Sequence, residues 1–227
     1  MLTDSIKDVH ERINSACKRC GRSASEVKLI AVSKMLPASQ IEEAYKIGLR
    51  IFGESRPQEL REKTKTLPQD IEWHFIGPLQ KNKIKYVLPV CRLIHSVDSY
   101  NLAETISQFC LRKQIKANIL LEVNTSREST KIGIKPAEAK KVFKRIESLP
   151  EINVMGLMTI APFTDNDNKI RESFKLLAGI KEELISENNR DQQLELSMGM
   201  SQDFEIAIEE GSTMIRVGTS IFGPRGR

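Results

Sequence analysis

The stretch "KLIAVSKMLPASQIEEAYKIGLRIFGES", residues 28–55, sets the architecture. A β-branched apolar run, Leu29-Ile30-Ala31-Val32, leads to Pro37. Ile41, Ala44, Tyr45 and Gly48 then fall on one helical face, and a second apolar run follows at Ile51-Phe52. A short apolar run, a 3.6-residue period and another short run read as strand, helix, strand. The first run also ends on a lysine, Lys34. An ammonium at the end of a buried strand is costly unless it is paired, neutralised or used covalently.

The same alternation recurs along the chain. The candidate strands are "KLIAVSK" (28–34), "RIFGES" (50–55), "EWHFIG" (72–77), "RLIHSVD" (92–98), "ANILLEVN" (117–124), "INVMGLMTI" (152–160), "LELSMGM" (194–200) and "MIRVGTSIFG" (214–223). Between them lie helical patterns. "KPAEAKKVFKRIESLP" has Pro136 at a helix start and Val142, Phe143, Ile146 and Leu149 at helical spacing. "SQDFEIAIEEG" offers Ser201 as an N-cap and Gly211 as the residue after the last turn. Parallel strands need crossovers, so the alternation predicts a parallel sheet. Eight units predict an α/β fold closed into one (β/α)8 TIM-type barrel, a single domain over 1–227 with an extra N-terminal helix. An open doubly wound sheet would carry a Gly-rich turn after its first strand, and "AVSKMLPAS" has none.

Composition narrows the function. The chain is 40% hydrophobic and 29% charged, which is ordinary for a globular protein. No apolar run reaches the ~18 residues of a membrane span, and "MLTDSIKDVHERINS" has no signal-peptide core. A cytoplasmic protein is expected. The net charge of +5 comes from scattered residues; "KNKIK" (81–85) and "KKVFKR" (140–145) read as solvated faces, and with 5% aromatics no nucleic-acid surface is expected. Cys17 and Cys20 continue the helical stripe of Ile6, Val9 and Ile13, so they read as core thiols and not a metal or redox pair.

In such a barrel the chemistry sits at the C-terminal strand ends. These ends carry Lys34, Glu54, Ser55, Gly77, Ser96, Asp98, Asn124, Thr159, Ser197, Gly218 and Thr219. Lys34 is placed as an amine nucleophile toward a carbonyl, or else as a rim lysine paired with Glu54 or Asp98. "LSMGMSQDF" (196–204) and "RVGTS" (216–220) supply small residues, hydroxyls and a helix start after strands 7 and 8, the recurrent phosphate position of this fold. Strand 8 closes against strand 1. A small phosphorylated aldehyde would satisfy both ends, and pyridoxal 5′-phosphate is one.

At these residues the chain resembles the pyridoxal-phosphate homeostasis proteins, a family of small barrels similar to the N-terminal domain of alanine racemase. The resemblance is carried by "AVSK" (31–34), "FGESRPQE" (52–59), "WHFIGPLQKNK" (73–83), "HSVDS" (95–99), "VNTS" (123–126), "GLMTIAP" (156–162) and, most specifically, "SMGMSQDFEIAIEEGSTMIRVGTSIFGPR" (197–225). It implies a Schiff base at Lys34 and cofactor phosphate near Ser201, Gly218 and Thr219, with Ser55 and Met198 as further cofactor contacts. Arg216 stands two residues before Gly218, as an arginine does in alanine racemases, where it faces the pyridine nitrogen; the competing reading pairs it with Glu205 or Glu209. Three departures stand out. Ser55 replaces the family's usual Asn, Met35-Leu36 its Thr-Lys, and the run from Arg127 to Lys131 its Gly-Glu-Glu-Ser-Lys.

The expected function is therefore cofactor holding and hand-on, without a catalytic residue set or a metal, by a monomer that serves apo enzymes. The rivals are an amino-acid racemase, a cofactor-free Schiff-base aldolase and a nucleic-acid scaffold. Racemisation needs a proton-transfer group on each face of the substrate. No second domain is expected to supply one opposite Lys34, and Tyr45, Tyr86 and Tyr100 are poorly placed. His74 and His95 sit in strand patterns and read as hydrogen-bonded core or rim residues.

Overall fold

Each of the eight apolar runs forms a strand. The structure, a computed structural model, describes residues 1–126, 128, 132–188 and 194–224. The strands are β1 (Lys28–Val32), β2 (Ile51–Glu54), β3 (Glu72–Phe75), β4 (Leu93–Val97), β5 (Ala117–Glu122), β6 (Ile152–Met158), β7 (Glu195–Met200) and β8 (Met214–Val217). They pair in sequence order and close into a barrel. Closure is set by β1 on β8, in parallel, with Ile30 opposite Arg216 and Ala31 opposite Val217.

The helices are α1 (Leu2–Arg19), α2 (Ala38–Lys46), α3 (Pro57–Thr66), α4 (Ile84–Val87), α5 (Tyr100–Lys113), α6 (Pro136–Glu147), α7 (Asp167–Asn188), α8 (Phe204–Glu209) and α9 (Thr219–Phe222). Strand side chains alternate between two faces, and this splits the core in two. Ile30, Leu93, Leu120, Met158 and Met214 pack together inside the barrel. Ala31, Phe52, Phe75, Ile119, Leu157 and Ile215 join the larger layer between sheet and helices.

The N-terminal helix is amphipathic, and it buries Ile6, Val9, Ile13, Ala16 and Cys17. Each large aliphatic there contributes about 1.5–3 kcal/mol. It packs on α8 and α9, the two helices that follow β7 and β8. Arg12 reaches Glu205 at 2.6 Å and Arg19 reaches Glu209 at 2.7 Å. The extra helix thus braces the strand ends where the phosphate is expected. Cys17 is buried as read, whereas Cys20 is half-buried with its thiol on the Ala16 carbonyl. The basic run at 140–145 is stitched to α7 through Lys140–Glu183, Lys140–Glu187 and Lys144–Glu187 at 2.6–2.8 Å.

Two boundaries differ from the sequence reading. The last strand stops at Val217, not at 223, because Gly218 (φ −117°, ψ −70°) turns the chain into α9. Ser201 does not cap α8; that helix begins at Phe204, with Asp203 at the N-cap position. Gly199, at φ +95°, makes this turn tight. A Cβ there would lie 2.6 Å from that of Ala207 and 2.9 Å from Phe204 Cα, so only glycine lets β7 pass this close to α8.

Candidate functional site

Lys34 lies just beyond β1 at the barrel mouth and is half-buried. It stands four positions after Ile30, which faces the interior, and two past the last residue of β1. Its neighbours are held from outside the barrel. Ser33 Oγ donates to Glu54 Oε1 at 2.7 Å, and Lys63 Nζ donates to the Ser33 carbonyl at 2.9 Å and to Glu54 Oε1 at 2.7 Å. On the other side, Met35 N donates to Glu59 Oε2 at 2.7 Å, and Met35 takes φ +64°. Glu54, weighed above as a partner of Lys34, is thus taken by Lys63. Burial pushes the Glu54 carboxyl up, while Lys63 and Ser33 pull it down. Its Oε2 has no hydrogen-bond partner.

Arg216 is buried and directed into the barrel. Neither Glu205 nor Glu209 holds it; those carboxylates take Arg12, and Arg19 with Arg171. Its Nη1 donates to Ser197 Oγ, and its Nη2 donates to the Thr159 carbonyl at 2.9 Å. Both partners are neutral. Asp203 and Glu122 supply the nearby negative charge, and burial lowers the guanidinium to about 10, so it remains a cation at neutral pH.

Behind Ser197 runs a buried chain. Ser197 Oγ lies 2.8 Å from His95 Nδ1, His95 Nε2 lies 2.9 Å from His74 Nδ1, and His74 Nε2 lies 2.9 Å from Glu72 Oε1. Burial drives His95 well below its usual value, so it is neutral. The Glu72 carboxylate only accepts, so His74 Nε2 donates to it. Ser197 Oγ thus stands between Arg216 Nη1 and His95 Nδ1.

At the ends of β7 and β8, the backbone N–H groups of Gly218 and Ser220 both point at Ser201 Oγ, each at 3.3 Å. Ser220 Oγ donates to the Ser201 carbonyl at 3.4 Å. Thr219 is exposed beside them as the first residue of α9. These bonds are long for N–H donors. They cluster donors that an anionic oxygen can satisfy better.

The structure therefore brings Lys34, Arg216, Ser201, Gly218 and Thr219 to adjacent strand ends. Ser55 is half-buried at the end of β2, where its backbone presses on Gly77; a Cβ on Gly77 would meet Ser55 O at 2.6 Å. Met198 is fully buried and packs in the larger core cluster, next to the inward Ser197. The departures at Arg127 and Ser129–Lys131 lie outside the described residues. Glu72, Asp203 and Glu122 were not singled out by sequence reasoning, and Ser197 was read only as a polar strand end, without its link to Arg216. The one available signal was parity: Ser197 is a polar residue at an inward position between Leu196 and Met198.

The residues present suit pyridoxal phosphate. Arg216 spends two N–H donors of its five on protein oxygens, no arginine nitrogen is left buried and unpartnered among the described residues, and the hydroxyl and N–H cluster suits a phosphate.

Comparison with known proteins agrees. The model of the alanine racemase N-terminal domain family matches residues 7–226. A pyridoxal phosphate homeostasis protein of Aquifex aeolicus is 44% identical over 223 residues, spanning 98% of this chain and 97% of that protein. PipY of Synechococcus elongatus, solved with PLP bound, has a TM-score of 0.81 at 36% identity, over 95% of this chain and 100% of that one. An alanine racemase of Clostridium difficile has a TM-score of 0.76 at 15% identity, over 99% of this chain and 58% of that one, a likeness of fold alone. On full-length identity to its curated relatives, this chain belongs to the pyridoxal phosphate homeostasis protein family.

Proposed function

We propose that this protein binds pyridoxal 5′-phosphate through Lys34 and holds it for delivery to apo enzymes inside the cell, working as a monomer whose barrel is one cofactor-binding unit. The observation that carries this reading is the pairing of β1 with β8. It sets a half-buried lysine just past the end of one strand while the neighbouring strand carries a buried guanidinium with neutral partners. When bound, the cofactor supplies an aldehyde that a lysine amine can capture. Ser201, Gly218, Thr219 and Ser220 bind its phosphate and fix its position. Arg216 donates toward the ring nitrogen and withholds a proton from it, since a guanidinium does not give one up. Ser55 contributes a side contact.

The same geometry argues against turnover of amino acids. The three tyrosines are engaged in the outer helical layer. Tyr45 donates to Asp70 at 2.7 Å, Tyr86 lies among Arg61, Lys83 and Lys85, and the Tyr100 ring lies under Arg145 at 4.1 Å. None of them stands as a second proton-transfer group opposite Lys34.

The test is spectroscopic. Purified protein supplied with pyridoxal phosphate should gain a visible band that borohydride abolishes, with the adduct on the peptide containing Lys34. Lys34→Ala should lose the band and keep its fold. An adduct on Lys83 would place the Schiff base on that lysine and overturn the role of Lys34. Cα proton exchange in heavy water, followed by NMR over a panel of amino acids, should be slow. Fast exchange that depends on Lys34, with racemised product, would overturn the holding role in favour of a racemase.

A further inference from the structure

The mouth has a second half. Lys34, Ser201, Gly218 and Thr219 stand at β1, β7 and β8. Across the barrel, at the ends of β3 to β6, lies a cavity of about 280 Å3 lined by Ile76, Pro78, Ser96, Glu122, Ile132 and Ile160. Ile132 and Ile160 are substantially exposed, at 49% and 38%. The apolar walls are therefore open at the top.

At the floor is Glu122, 8% exposed, on the last residue of β5. Among the described residues its carboxylate has no hydrogen-bond or ion-pair partner. The other polar groups of the lining are spent: Ser96 Oγ donates to the Gly77 carbonyl, and Asn124 Nδ2 donates to the Glu128 carbonyl at 2.9 Å. The charged groups that bear on Glu122 are Asp98, at the end of β4, and Arg216, on β8. A buried carboxyl without a partner is an unmet demand for a donor.

We infer that this cavity binds a primary alkylammonium, its charged tip on Glu122 and its aliphatic stem against Ile76, Ile132 and Ile160. Two carboxyls in or beside the cavity repel anions. No cluster of three metal-ligating side chains exists among the described residues. A neutral apolar guest would leave the carboxyl unsatisfied. An ammonium on a methylene stem matches both halves of the lining, as lysine side chains do when they bury the stem and pair the head. The shared chemistry has two sources, a free amine and a lysine of another protein. This deepens the cofactor-holding reading and rests on it for its purpose: an amine seated here stands across the mouth from Lys34, where a recipient of the cofactor must enter. Binding itself does not require the cofactor.

The test uses the full chain freed of cofactor and n-butylammonium as the probe, read by calorimetry and by the 13C resonance of the Glu122 carboxyl. Bound n-butylammonium should move the Glu122 midpoint downward from about 7. Glu122→Gln, which keeps shape and hydrogen-bonding capacity, should weaken binding about tenfold or more. 1-Butanol should not distinguish the two proteins. Nα-acetyl-lysine methylamide forms the second arm. Binding as tight as that of n-butylammonium supports the pocket with a protein lysine as its source, and a loss specific to the peptide-like probe supports it with free amines. An unchanged Glu122 midpoint, or equal affinity in Glu122→Gln, overturns the proposal. The visible band on Lys34 is read separately, so failure of the amine site and failure of cofactor binding are distinguishable.

Discussion

Arg216 donates to the hydroxyl of Ser197, where a buried guanidinium would ordinarily meet a carboxylate. The arrangement leaves the cation uncommitted and passes its orientation to a serine, which is fixed in turn by His95 at 2.8 Å. Ser197→Ala should therefore do more than remove one bond. A hydrogen bond to a charged group contributes about 1.5–3 kcal/mol, and that much stability should be lost. His95 should also lose the hydrogen-bond partner of its Nδ1. With only three histidines in the chain, nitrogen NMR of the imidazoles resolves this. The variant should show a displaced His95 Nδ1 resonance. Unchanged stability together with unchanged His95 shifts would contradict the chain.

Arg216→Glu addresses the ring directly. A carboxylate in that place accepts where the guanidinium donates, so a ring nitrogen facing it can hold a proton. The visible band of the loaded protein should shift and titrate differently. Superimposable spectra across pH would show that the guanidinium does not face the ring nitrogen.

Thr219 and Ser201 test the cradle. Thr219 is exposed and offers a hydroxyl beside the N–H groups of Gly218 and Ser220. A charge-assisted bond to phosphate at ~1.5–3 kcal/mol corresponds to about one to two decades of affinity. Thr219→Val should weaken pyridoxal phosphate by that factor and leave unphosphorylated pyridoxal nearly unaffected. Equal binding of the two ligands by the native protein would misassign the site.

Much of this was legible in the sequence because it follows from period and position. The eight strands are short apolar runs, and Lys34, Ser201 and Thr219 sit at or beyond strand ends. What was not legible depends on which face a residue takes and on pairs far apart in the chain. Met198 and Ser197 differ by one position, and parity sends one outward and the other to Arg216. Lys63 reads as one charge among many on α3, yet it is 7% exposed, because Glu54 and the Ser33 carbonyl draw it in. The ends of elements were the weakest readings. Gly218 bends away from a β-rich run, and Ser201 turns to β8 instead of capping α8, as contacts across the loops outweigh local preference.

Lys63 also makes a stability prediction. Removing one member of a buried pair strands the other, at a cost of about 3–5 kcal/mol. Lys63→Ala should lose that much, because Glu54 is fully buried with Oε2 already unpartnered. The double variant Glu54→Leu/Lys63→Met should recover most of it, since apolar replacements of a buried pair are often neutral. Recovery of fold without recovery of the Lys34 band would show that the pair positions Ser33 and, through it, the lysine. If the single and double variants are equally unstable in urea, the pair is not a coupled unit.

Glu122 sets a pH dependence whose sign is fixed by its burial. Desolvation comes first, Asp98 adds to it and Arg216 opposes it, and the carboxyl is raised from 4.5 to about 7. The folded state therefore binds a proton here more tightly than the unfolded chain. This contribution is fully present below 4.5, declines through the window up to about 7, and is absent above it. By the linkage relation it amounts to roughly 3 kcal/mol. Glu122→Gln keeps the shape and removes the titration, so it should match the native protein in acid and exceed it above neutral pH. Glu54 and Asp203 are also raised by burial, but both are present in the two proteins and cancel in the difference. Urea midpoints at pH 4.5 and pH 8 would measure it. The expected result is a gap between variant and native protein that opens as pH rises. Parallel profiles would mean that Glu122 ionises in the folded state as readily as in the unfolded chain, and that a partner already satisfies it.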